Sequence, residues 1–143
     1  MTEVFKSTRT FFLFAAIFSL LTGLCRAEGS SVNYESGECK SYINNLTRKL
    51  NDNWFLPDGN NRVTISCLLE TDGIPRDVST VSSPSSSEAE QAANAAFVKA
   101  QPYGSLPVSA GEKVKLTLEF VSNADPHGDS SRNIKATLSS PDK

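Results

Sequence analysis

The sequence is 143 residues long, carries 14 lysines and arginines against 16 aspartates and glutamates, and is 38% hydrophobic. That length falls in the one-domain range of roughly 100–200 residues and allows a single modest core. A net charge of −2 with one histidine and no basic stripe argues against a nucleic-acid partner.

Lys6 and Arg9 precede an apolar run of 14 residues, FFLFAAIFSLLTGL, and small Cys25 and Ala27 follow it. A bilayer span needs about 20 apolar residues, so the run is short for one. Basic start, short apolar middle and small exit positions together read as a secretory signal peptide over residues 1–27, removed after Ala27. The alternative is an uncleaved signal that leaves the domain membrane-anchored. Bulky Leu24 argues against lipid attachment at Cys25. Without residues 1–27 the chain has 116 residues, 11 basic and 15 acidic, for a net charge of −4. It is expected in the periplasm or outside the cell.

Residues 28–37, EGSSVNYESG, are polar and Gly/Ser-rich and predict a short disordered lead. From 38 to 54, apolar Cys39, Ile43, Leu46, Leu50 and Trp54 recur at helical spacing and predict one buried helical stripe. Pro57 and the DGNN run after it break the helix. RVTISCLLE alternates Val63, Ile65, Cys67 and Leu69 against Thr64, Ser66, Leu68 and Glu70, the pattern of a half-buried strand. Asp72 and Gly73 signal a hairpin turn, because glycine accepts the positive φ that such turns require. The returning segment, IPRDVSTVSS, alternates poorly and contains Pro75, which lacks an amide donor. An irregular or edge strand is expected there.

Ser87 and Glu90 have capping-box spacing and open a second helix. Ala89, Ala92, Ala93, Ala96, Phe97 and Ala100 share one side of it, so it can lie close to a sheet. KVKLTLEF is the most regular strand, with Val114, Leu116, Leu118 and Phe120 on one face and Lys115, Thr117 and Glu119 on the other. Residues 121–143 are polar and without a clear pattern, and read as a disordered tail. The expected fold is therefore α+β, with two helices on one face of a three-stranded, mainly antiparallel sheet in the order α-β-β-α-β. The folded domain spans 38–120.

Removal of the signal leaves Cys39 and Cys67. Export to an oxidising compartment, and inward positions for both, predict a disulfide between them; two buried free thiols are the alternative. The bridge would close a loop of about 29 residues, worth on the order of 3–4 kcal/mol in the chain-entropy model.

Catalytic equipment is sparse. His127 lies in the expected tail, the serines of SSPSSS have no histidine nearby, and no Cys/His metal spacing is present. DGNNR has too few carboxylates for a calcium loop. The expectation is a non-enzyme with no cofactor, no metal and no small-molecule substrate. What remains is a binding surface, and an open sheet edge accepts another chain's strand through backbone hydrogen bonds.

The ordered set YINNLTRKLNDNWFLP, RVTISCLLETDG, VSSPSSSEAEQAANAAFVKAQPYGSLP and VKLTLEF resembles the C-terminal domain of the TonB and TolA family. The likeness covers Cys39 to Phe120. It rests on Asn53, Trp54 and Pro57 after the first helix, Asp72 and Gly73 in the hairpin, and Ser82 and Ser83 before the second helix. Ala92 and Ala93 within that helix, Pro102, Leu106 and Pro107 beyond it, and the closing Phe120 complete the set. Pro84 stands where the family usually has glycine, and the family's long linker is missing. The resemblance implies a cell-envelope protein-binding module that binds an outer-membrane receptor or a Tol-type protein by strand addition, with a role in TonB-dependent transport. It also implies that the last strand, Val114, Lys115, Leu116, Thr117, Leu118, Glu119 and Phe120, receives the partner. Cover of that edge by the tail or by a second copy, as a homodimer, is left open. The competing reading is a small secreted structural or inhibitory protein on the same scaffold with no transport role.

Overall fold

The computed structural model describes residues 32–142; the signal peptide assigned to 1–27 lies outside them. Helix α1 covers Gly37–Asn53, strand β1 Gly59–Glu70, β2 Pro75–Ser82, helix α2 Ser87–Lys99, β3 Lys113–Ala124 and β4 Ser131–Ser139, with a short 3-10 turn at Val108–Ala110 before β3. All neighbouring strands are antiparallel and the order across the sheet is β2-β1-β3-β4. The fold is α+β as expected, with one strand more than expected. The segment read as a disordered tail supplies it.

Helix α1 begins where Ser36 accepts a hydrogen bond from the Cys39 amide, so the cap lies inside the supposed lead. The Asn33 amide donates to the Ser109 carbonyl, which ties the described start of the chain to the 3-10 turn. Cys39, Leu46, Leu50 and the closing Trp54 are buried along the predicted stripe.

β1 and β3 form the centre of the sheet, in unbroken register from Gly59 opposite Ala124 to Glu70 opposite Lys113. Their inward residues Val63, Ile65, Leu69, Val114, Leu116, Leu118 and Phe120 are almost wholly buried. Each such side chain contributes on the order of 1.5–3 kcal/mol relative to exposure. Helix α2 covers the β1–β2 side through Ala89, Ala93, Ala96 and Phe97, and α1 covers the side nearer β4. Trp54 meets Phe120 edge-to-face at 5.1 Å between ring centroids, pinning the end of α1 to β3.

Gly73 is held at φ +70°, and a Cβ there would lie 2.0 Å from the Gly104 carbonyl oxygen. Both the hairpin turn and the close passage of the 100–106 loop demand glycine.

Cys39 and Cys67 are both buried, as the stripe and the alternation predict, but they are free thiols and the expected disulfide is not formed. Facing one core does not make two residues neighbours. The Cys39 Sγ lies 3.5 Å from the Ser109 hydroxyl at the start of α1. Cys67 sits mid-strand opposite Leu116, within electrostatic reach of Tyr42 and Tyr103.

Candidate functional site

The expected partner-binding strand, Val114 to Phe120, is an interior strand. On one side Val114, Leu116, Leu118 and Phe120 stand opposite Leu69, Cys67, Ile65 and Val63 of β1. On the other, Lys115, Thr117 and Glu119 stand opposite Ser139, Thr137 and Lys135 of β4. Both ladders are filled, so β3 has no row of free backbone groups to offer. Assignment of the partner site to Val114–Phe120 is corrected: the chain's own residues 131–139 occupy that edge.

The signal for β4 was present but faint. Ile134, Ala136 and Leu138 alternate with Lys135 and Thr137, a short period-two stripe. Small Ala136 and the surrounding serines and aspartates mask it. In the structure Ile134 and Leu138 are buried, and the Arg132 guanidinium donates to the Trp54 carbonyl at 3.2 Å.

Among the described residues the two edges of the sheet are β2 and β4, and they differ. β2 is short, opens on Pro75 opposite Leu69, and carries a bulge between its pairings with Ser66 and Leu68, where Asp77 adopts φ 51°. Arg76 bridges Glu70 and Asp72 beside it. Proline, a bulge and charge are the devices that blunt an edge. β4 has none of the first two: its nine residues run in unbroken register with β3 and contain no proline.

Strand geometry identifies the groups that β4 presents outward. The Ser83 amide donates to the Arg62 carbonyl, so Arg62 turns its backbone groups toward β2. Successive residues alternate in direction, and opposed antiparallel residues either exchange both bonds or neither. Carried across the registers, Val63, Ile65, Cys67 and Leu69 bond with β3, and Lys115, Thr117 and Glu119 bond with β4. The N–H and C=O groups of Arg132, Ile134, Ala136 and Leu138 therefore point away from the sheet. Lys135 flanks them on the uncovered face, opposite Glu119, which also pairs with Arg62 at 2.6 Å. β4 contains two basic residues and no acidic one.

The concave features are shallow. One, about 370 Å³, is lined by Glu70, Thr71, Glu112 and Lys113 at one end of the sheet. A second of about 240 Å³ lies at the other end, among Asn60 to Arg62, Ser83, Pro84 and Val121 to Asn123. His127 sits in the exposed β3–β4 connection, where its amide donates to the Asp125 carboxylate. No helix among the described residues is long and apolar enough to cross a membrane, and no cluster of three metal-ligating side chains occurs among them.

No protein family, curated protein or solved structure matches the chain.

Proposed function

We propose that the chain is an exported, non-catalytic protein-binding module of the cell envelope that takes extended partner segments by strand addition. The observation that carries this reading is the regular β4 edge, with the backbone groups of Arg132, Ile134, Ala136 and Leu138 directed outward. The element order α1-β1-β2-α2-β3 supports it, being the order that the TonB/TolA resemblance implies. The receiving strand, however, is β4 and not β3. Backbone bonds would give affinity. The basic side chains Arg132 and Lys135 favour a segment with acidic residues. An outer-membrane receptor or a Tol-type protein is the partner class, in the setting of TonB-dependent transport.

The test is amide exchange of the exported chain with and without an envelope protein captured by it. Protection should rise at Ile134, Ala136 and Leu138. Unchanged exchange there, with protection gained elsewhere, overturns the assignment.

A further inference from the structure

Among the described residues the two helices cover one face of the sheet and leave the other open. Residues opposed across a ladder share a face, and so do residues two apart along a strand. The open face therefore carries Arg62, Arg76, Lys113, Lys115 and Lys135, with Glu70 and Glu119 as its acidic residues. Of the ten basic and fourteen acidic side chains among residues 32–142, these are five and two, which leaves five and twelve elsewhere. An acidic chain thus holds +3 on its open sheet face and −7 over the rest. We infer that this face binds an anionic polysaccharide, its carboxylates meeting the lysines and its hydroxyls meeting the hydroxyl row between them. The inference goes beyond the strand-addition reading and does not rest on it. Strand addition uses backbone groups at the β4 edge, whereas this site uses side chains on the face.

Ser79, Ser66, Thr117 and Thr137 stand in one row across all four strands. At about 4.8 Å between neighbouring strands, the row is about 14 Å long. Lys115 lies one row to one side of it and Lys135 one row to the other, each about 7 Å away along its strand. Arg76 is held by Glu70 and Asp72, and Arg62 by Glu119, so the arginines add charge more than new contacts.

The make-up of the face selects the occupant. Serine and threonine hydroxyls and the Asn133 amide both donate and accept, as the hydroxyls of a sugar chain do. None of the side chains that the strands present there is aromatic, so a nucleic-acid base has no stacking platform. Leu68, Val81 and Val121 are separated by polar neighbours and give a bilayer no apolar patch to receive. A peptide taken by strand addition needs backbone groups, and those lie in the plane of the sheet.

Calorimetric titration of the exported chain with a soluble polyuronate, at low and high salt, tests the inference. Saturable binding is expected, weaker at high salt because screening shortens the reach of the lysines. Uncharged dextran should not bind. Lys113 and Lys135 are exposed, so Lys113→Glu with Lys135→Glu should preserve the fold while turning the face from +3 to −1. Binding should weaken about tenfold or more, because like charges then face each other. Lys40→Glu with Arg48→Glu makes the same change in net charge on α1, and should leave binding within about twofold. Equal losses in the two double variants overturn the inference, as does a polyuronate that fails to bind. Binding to phosphatidylglycerol vesicles or single-stranded DNA as tight as to the polyuronate overturns it too. Ala136→Pro alters only an outward amide of β4, so it should lose captured envelope protein yet keep the polyuronate. A polyuronate lost with that variant would place the site at the edge and defeat the inference.

Discussion

Thr117 stands opposite Thr137 on one side and Ser66 on the other. With Ser79 beyond Ser66, a row of four hydroxyl-bearing residues crosses the whole sheet on its uncovered face. The residue at the middle of the expected binding strand is thus fixed between two neighbours. Its amide is directed to Thr137 and not to any partner.

Proline substitutions separate sheet integrity from edge function. Thr117→Pro and Thr137→Pro each delete a donor inside the β3–β4 ladder and strand the opposed carbonyl. Loss of a buried partner costs about 1–3 kcal/mol, and the interior strand should suffer more than the edge. Ala136→Pro deletes only an outward donor. Thermal melts should rank the variants Thr117→Pro below Thr137→Pro below Ala136→Pro. Equal losses at 136 and 137 would contradict the assignment of outward groups.

The entry to α2 gives a sharper local test. Ser87 and Glu90 have capping-box spacing, yet Ser86 is the cap: its hydroxyl accepts from the Ala89 amide at 3.2 Å. Glu90 instead accepts from the Ser82 hydroxyl at 2.6 Å, and that same hydroxyl accepts from the Ser86 amide. Ser86→Ala should cost about 1 kcal/mol, the usual value for a lost N-cap. Ser87→Ala, at the first helical position, should change the denaturation midpoint little.

Most of the fold was legible because its elements carry strong periodic patterns. The stripe of Cys39, Leu46 and Leu50, the alternation through Val63 to Leu69 and Val114 to Phe120, and Pro75 as an edge marker all lie where sequence pattern places them. What was not legible depends on neighbours in space. β4 buries chiefly Ile134 and Leu138, so its stripe is too short to stand out from polar surroundings. Strand order then decided the site, because one added strand turned β3 from an edge into an interior strand. The cysteines failed for a related reason: periodicity gives the direction of a side chain but not its distance from another.

The Trp54–Phe120 contact separates packing from polar satisfaction. Phe120 is fully buried at the centre of the inward face, and Phe120→Ala should cost about 3–5 kcal/mol. Trp54 is also buried, but its indole N–H meets no acceptor among the described residues. Trp54→Phe loses ring area and also removes an uncompensated donor, which costs about 1–3 kcal/mol when left buried. The two effects oppose, and a net loss below about 1.5 kcal/mol is expected. Circular dichroism is the suitable readout, because the substitution removes the chain's only tryptophan.

Alkaline stability should report the buried thiol of β1. Burial pushes Cys67 from 9.0 up to about 12. Tyr42 is pushed from 10.0 up to about 12, first by burial and then by its proximity to Cys67. Tyr103 moves in the same direction, again chiefly through burial. These groups are neutral when protonated, so a raised folded value means that the unfolded chain releases its protons first. The stability is fully present below about pH 9 and is lost as pH rises from there toward about 12. Denaturant midpoints should therefore hold level up to about pH 9 and fall steadily above it. Cys67→Ala should lower the midpoint at neutral pH through the cavity it leaves, and should make the alkaline fall shallower. In the same protein a thiol reagent should find neither Cys39 nor Cys67 until the chain unfolds, because both are buried. A midpoint that stays level far into the alkaline range, or rapid labelling of the folded chain, would place Cys67 outside the core and defeat the prediction.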